Sequence, residues 1–302
     1  MIQSNSGGSA LRGLLILFGV LMAMAIVAGM LATWLSGYTV SGSRSFYLLQ
    51  SVVQNLVMFC GTGYATWRII SPDPLKNLGL SGGGCSWRPY AGVVIVLLLG
   101  MPLLNQIIHY NSEMTFPAGL ESWLRGMEEA GAEVTRIILD APSAGSLVTG
   151  VLFVGVLTGL SEEFLFRGTL QNLLVKRGHM RAAAIWVTAI IFSAVHLQFY
   201  GFFPRVLLGA FFGYVLYWSG SLWPAVFAHA LNNSLVVVFT WLEARGTVTA
   251  DIENLGVIRG GIPWWAILSL VILIIFFRYG THYFFINTKA QTLDNGLKIR
   301  NR

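Results

Sequence analysis

The chain has 302 residues, of which 55% are hydrophobic and only 11% charged, with a mean hydropathy of +0.67 and a formal net charge of +6. A soluble domain of this length needs a much larger charged surface. The apolar residues come in long blocks rather than in alternation, which excludes a transmembrane barrel.

In chain order the apolar blocks are 11–35, 46–70, 90–110, 147–175, 182–199, 206–218, 222–241 and 264–277. Most are long enough to cross roughly 30 Å of hydrocarbon as helices rising about 1.5 Å per residue. The expected fold is an all-α polytopic helical bundle of about eight transmembrane helices, forming one integral membrane domain over 1–302. The first block is too long for a signal-peptide core and only Arg12 charges its flank, so it reads as a retained helix. The stretch 71–87 is rich in Pro and Gly and reads as a loop.

The one sizeable extramembrane piece is 111–145, where Leu120, Trp123, Leu124 and Met127 fall on one helical face. It reads as an amphipathic helix at the outer membrane surface, either a cover or a gate. Pro263 suits the first turn of the last helix, and 287–302 is a polar tail. Many glycines lie inside the blocks, and Gly209 with Gly213 forms a GxxxG that predicts close helix packing. No internal repeat supports an inverted-repeat transporter.

With the N-terminus inside, the inside segments hold Arg12, Arg68, Lys76, Arg88, Lys176, Arg177, Arg181, Arg278, Lys289, Lys298, Arg300 and Arg302. The outside segments hold Arg44, Arg125, Arg136, Arg205, Arg245 and Arg259. Twelve against six, with Arg167 set aside inside a span, puts both termini in the cytoplasm. This bias and the basic tail account for the net charge, so no nucleic-acid partner is implied. The tail could also touch anionic lipid. Cys60 lies in a span and Cys85 in a cytoplasmic loop, without CxxC spacing, so no disulfide or structural zinc is expected.

Ionisable groups within spans are expensive and need a partner or a task. Three clusters meet that description, all within the core 147–242: Glu162, Glu163 and Arg167; Phe192 and His196; His229 and Asn233. Glu163 and Arg167 are four apart and pair on one face, which leaves Glu162 about 100° round the helix without a local counter-ion. Such a carboxylate faces a polar cavity or serves as a general base; the alternative is an ion network that only locks helices.

Glu162 lies fourteen positions before Lys176, and His196 fifteen after Arg181. Both therefore stand roughly 21–23 Å from the cytoplasmic boundary on helices joined by a short turn. His229 and Asn233 share a face and could hold an oxyanion, or simply join helices. Counted from Leu222, however, His229 reaches only about 10 Å. Asn232 points elsewhere. Glu162, His196 and His229 are also possible zinc ligands, although no HExxH is present. His109, His179 and His282 fall at or beyond span ends and read as bland.

In this order and spacing, EExxxR, FxxxH and HxxxN resemble the motifs of the CPBP family of intramembrane proteases, which groups CAAX-processing proteases with bacteriocin-processing and self-immunity (ABI) proteins. The resemblance covers about 147–233. It implies Glu162 as general base with His196, an oxyanion pair in His229 and Asn233, and support from Glu163, Arg167 and Phe192. It also implies a glutamate-dependent endopeptidase without cofactor, acting on membrane-associated or lipid-modified proteins or peptides from within the lipid bilayer. A bacterial inner-membrane location goes with it. A non-proteolytic scaffold or immunity protein, a zinc-dependent protease and a proton-relay transporter are the rival readings. The sequence is silent on substrate identity and oligomeric state.

Overall fold

The computed structural model describes residues 6–81, 86–139, 143–175, 181–247 and 254–286. Cys85, His179, Lys176 and the tail 287–302 lie outside the described residues. Among the described residues the elements are helices and turns, with no strand, as expected for an all-α membrane bundle.

The long elements are α1 (Ser6–Ser36); α2, made of Arg44–Val53, a π-helical stretch Gln54–Gly61 and Thr62–Ile70; α3 (Arg88–Ser112); α4 (Ala118–Leu139); and α5 (Ala144–Val175). They continue as α6 (Arg181–Ala194), α7 (Phe202–Ser219), α8 (Leu222–Ala244) and α9 (Trp264–Phe284). Among the described residues, six helical segments are long and apolar enough to cross a membrane: Leu11–Ser36, Arg88–Ser112, Ala144–Val175, Phe199–Ser219, Leu222–Ala244 and Trp264–Phe284. Of the other two expected spans, α6 is a shorter apolar helix that stops at Ala194, short of the expected 199. α2 is helical throughout but carries Gln50, Ser51, Gln54 and Asn55 in its middle.

The helix ends follow from local chemistry. Ser43 and Ser143 cap α2 and α5, each side chain accepting from the backbone N–H three residues on. α7 stops at Gly220, whose φ of +67° is left-handed, so the chain reverses straight into α8. Pro263 stands just before α9 rather than in its first turn, and ends the preceding loop.

The bundle centre is α5 with α7 and α8, and α3 and α6 pack around them. A core of Val93, Val96, Phe212, Val215, Leu222 and Ala225 fills the space between α3, α7 and α8. α1 and α9 lie at the rim, exposing rows of Leu, Ile, Met and Trp, as hydrocarbon-facing helices do. Gly209 and Gly213 serve the expected close packing: a Cβ on Gly209 would lie 3.2 Å from Phe192, and one on Gly213 2.9 Å from Ile185.

α4 presents its apolar residues unevenly to the bundle. Leu124 is buried, but Leu120 and Trp123 are about half exposed. The helix touches the bundle through its middle and its C-terminal residues Ile138 and Leu139, so its first turns overhang.

Connecting segments sort into two ends. At one, Arg44 donates to the Ile138 carbonyl, Asn111 to the Phe199 carbonyl, and Gln106 bonds both polar backbone groups of Ile258. At the other, the Leu222 N–H donates to the Gly79 carbonyl, Asn172 to the Asn77 carbonyl, and Arg88 covers Tyr283.

Candidate active site

The acidic cluster is built on the middle of α5, where the α-helical stretch Thr158–Leu165 lies between π-helical stretches Val151–Leu157 and Phe166–Gln171. Such π segments widen a turn and re-aim side chains. Glu163 and Arg167 are both fully buried and pair at 2.7 Å, as the i, i+4 spacing predicts. Arg167 also donates to the Gly209 carbonyl at 3.0 Å and lies 4.4 Å from the Phe192 ring centre. Gly209 has no side chain to block that approach; a Cβ there would stand 3.0 Å from the guanidinium. A buried acid and base hold each other in place only with such added contacts.

The same Glu163 oxygen that meets Arg167 lies 2.9 Å from His229 Nδ1. A carboxylate bonded to Arg167 only accepts, so His229 carries a hydrogen on Nδ1. His196 is anchored in the same manner, its Nδ1 being 2.7 Å from the Phe192 carbonyl, which also only accepts. Both rings therefore keep Nε2 free, and both turn it toward Glu162. The separations are 4.0 Å from His196 to Oε1 and 3.6 Å from His229 to Oε2. Phe192 meets both imidazoles edge-on, with centres 5.0 and 5.6 Å away, and Phe212 stacks on His229 at 5.0 Å. The aromatic walls fix the rings as firmly as their hydrogen bonds do.

Two expectations need correction. His196 is not inside a span: α6 ends at Ala194, and His196 sits in the turn that follows, ahead of Leu197 at φ +56°. Nor is His229 at a shallower level than Glu162. α8 does begin at Leu222, but that residue packs beside Gly168 and Leu78, already inside the bundle. Glu162 is six residues from Gly168 and His229 seven from Leu222, so rises of about 9 and 10 Å bring them level.

Asn233 is farther from the acid. Its Nδ2 donates to the Val154 carbonyl at 3.3 Å, and its Oδ1 accepts from Asn232. Glu162, Phe192, His196, His229 and Asn233 nonetheless share one cavity of about 550 Å³, whereas Glu163 and Arg167 stand behind its wall. Thr158, Asn232, Glu128, Tyr200 and Arg205 also line it. Sequence reading missed Glu128, Tyr200 and Arg205 because they lie at a span edge or in an extramembrane segment, where polar residues are ordinary, and Thr158 because a lone hydroxyl within a span is ordinary too. Asn232, expected to point elsewhere, instead lines the cavity beside Asn233.

Asn55 was missed despite a usable signal, being an asparagine inside an apolar block. It is buried, accepts from Ser161 next to Glu162, and lies 3.5 Å from the Thr158 hydroxyl. It ties α2 to the acid-bearing turn.

Glu162, His196 and His229 are the right donor types for zinc. Among the described residues, however, no three His, Cys, Asp or Glu side chains are gathered closely enough to hold an ion. The observed arrangement fits imidazoles facing a carboxylate across a gap better than a coordination sphere.

Residues 144–235 match the model of a family described as type II CAAX prenyl endopeptidase Rce1-like. A protein of Bacillus subtilis (strain 168) named "Putative membrane peptidase YdiL" is 23% identical over 131 residues, 43% of this chain and 52% of that protein. The chain thus spans about half the length of the curated relative it matches. No solved structure matches. The matched segment holds every motif residue, from Glu162 to Asn233.

Proposed function

We propose that the chain, whose residues 144–235 match the type II CAAX prenyl endopeptidase Rce1-like model, hydrolyses peptide bonds of membrane-associated or lipid-modified proteins with a glutamate-activated water. The observation that carries this reading is the approach of two anchored imidazoles, each by Nε2, to the single carboxylate of Glu162 in an open cavity.

The 4.0 Å between His196 and Glu162 is too long for a hydrogen bond and suits one water bonded to both. Glu162 takes a proton from that water as its oxygen bonds to the scissile carbonyl carbon. His196 orients the water. The negative charge that develops on the carbonyl oxygen needs donors. A protonated His229 Nε2 and the second N–H of the Asn233 amide are the candidates. Collapse of the tetrahedral species breaks the C–N bond, and the Glu162 proton passes to the leaving amine, restoring the carboxylate. No serine or cysteine is grouped with these residues, so no covalent intermediate is invoked. Glu163, Arg167 and Phe192 act behind the site by holding the two histidines and α5.

The test is cleavage of membrane-tethered peptides by purified wild type and by Glu162→Gln, with folding checked by thermal melting. Cleavage by both chains alike, or by neither, would remove the proposal; the second outcome would favour a scaffold or immunity role. Loss of cleavage on chelation, restored by zinc, would replace the water-glutamate mechanism with a metal one. A bacterial inner-membrane location with both termini in the cytoplasm belongs to the same proposal, supported by the twelve-to-six distribution of basic residues.

A further inference from the structure

Arg205 stands on the first turn of α7 and lines the same cavity as Glu162. Its two terminal nitrogens donate to the Gln198 backbone carbonyl and to Gln198 Oε1, each at 3.2 Å. Both acceptors are neutral. A guanidinium carries five N–H donors, so three remain after these two bonds. Among the described residues no carboxylate is ion-paired with it. Arg125 on the same wall is joined to Glu121 at 2.6 Å, and Arg167 to Glu163, so Arg205 differs from both neighbours. Glu128 and Glu162 also line the cavity and attract the guanidinium across it, but neither is within ion-pairing distance, and Glu128 Oε2 accepts from the Tyr200 N–H at 3.3 Å. The guanidinium is held in place: it packs on Gly201, where a Cβ would lie 2.9 Å from it.

Resting on the protease reading above, we propose that Arg205 is a specificity-determining residue that binds a carboxylate of the substrate close to the scissile bond. Its spare donors form the planar fork that matches a carboxylate, and charge-assisted pairs of this kind are the stronger ones. The level of Arg205 sets the spacing. Gly209, one turn further along α7, receives Arg167 and so lies level with Glu163 and Glu162. Arg205 is therefore about 6 Å away along the helix axis, or about two residues of extended peptide at roughly 3.3 Å each. The carboxylate can come from a chain terminus or from an Asp or Glu side chain, and the same fork accepts either.

The experiment uses the full-length protein in lipid nanodiscs and a set of N-terminally acylated peptides of one neutral sequence. One ends in a free carboxylate, one in an amide, and the others are amides with a single Asp placed at successive positions. Wild type is expected to cleave a carboxylate-bearing peptide at least tenfold faster in kcat/KM than the neutral amide. The best carboxylate should lie about two residues from the cut. Preference for the free terminus or for Asp identifies the source.

Arg205→Gln should abolish the preference while still cleaving the neutral amide, and Arg205→Lys should restore part of it. If wild type shows no preference, or if Arg205→Gln slows both peptides equally, the assignment falls and Arg205 only braces the turn after His196. Binding of the same peptides to the Glu162→Gln chain separates the two readings. Tenfold weaker binding of the amide, dependent on Arg205, would uphold the carboxylate site even if no peptide were cleaved. Equal binding would overturn it.

Discussion

At the scale of residues, the site depends on the hydrogen-bonding commitments of Nδ1. In both histidines that atom is engaged by an acceptor other than Glu162, so the chemistry available to each ring is confined to Nε2 and directed at Glu162. Glu162→Gln should lower kcat about 10²–10⁴-fold, the range for losing a general base, with little change in melting temperature. The ion pair behind the wall should behave oppositely. Arg167→Met strands the buried Glu163 carboxylate and should cost about 3–5 kcal/mol, read as a lower melting temperature in detergent. The double change Glu163→Gln with Arg167→Met should recover much of that loss, since Gln keeps an acceptor for His229 Nδ1 and no charge is left unpaired. If the double variant melts as low as Arg167→Met alone, uncompensated charge is not the cause.

The pairing of Glu163 with Arg167 was legible from i, i+4 spacing, and the level of His196 with Glu162 from counting residues between basic boundary markers. The level of His229 was not, because the count assumed that α8 starts at the membrane surface. Leu222 instead starts it beside Leu78 and Gly168, inside the bundle. A hydrophobic block shows where apolar residues begin, which is not the same as where lipid begins.

At the scale of elements, the acid and the histidine are level only because α5 and α8 touch. Gly159 makes this possible: a Cβ there would lie 2.8 Å from the Ala230 backbone nitrogen and 3.0 Å from its Cα. Backbone has no other rotamer to adopt, so the helices would have to separate. Gly159→Val should destabilise by about 1–3 kcal/mol. Displacing His229 from Glu162 by even about 1 Å should also lower kcat on the order of a hundredfold. Gly29, on the lipid side of α1, has nothing within 4 Å of its would-be Cβ. Gly29→Ala should raise stability by about 0.5–1 kcal/mol through helix propensity alone, without altering cleavage. Thermal melting and turnover of the two variants, side by side, separate a glycine needed for approach from one that is not. Sequence reading saw that glycines were numerous but not which ones faced a neighbour, since that depends on helix rotation. The π-helical stretches of α2 and α5 change that rotation, and no residue pattern announced them.

At the scale of the molecule, the contacts between connecting segments divide without exception among those described above. The 37–43 turn, α4, the turn after α6 and the 254–263 loop gather at one end. The 71–80 loop, the α7–α8 reversal and the end of α9 gather at the other. That arrangement arises when α2 and the short α6 each carry the chain from one end to the other, although neither satisfies a simple length-and-hydropathy criterion. α2 can hold Asn55 in mid-helix because that side chain spends its polar groups on Ser51, Ser161 and Thr158 rather than on lipid. α6 can be short because Phe199–Gly201 and α4 cover the turn beyond it. The orientation proposed above from the basic residues of the sequence makes the second end the cytoplasmic one. With Cys60 and Cys85 replaced by Ser, single cysteines at Thr39, Glu129 and Thr247 should react with a membrane-impermeant maleimide on intact cells. One at Asp73 should react only after permeabilisation. Labelling of Asp73→Cys from outside, with Thr39→Cys protected, would invert the molecule and put the cavity mouth beneath α4 on the cytoplasmic side. Labelling of Thr39→Cys and Thr247→Cys from opposite sides would mean that α2 or α6 does not cross.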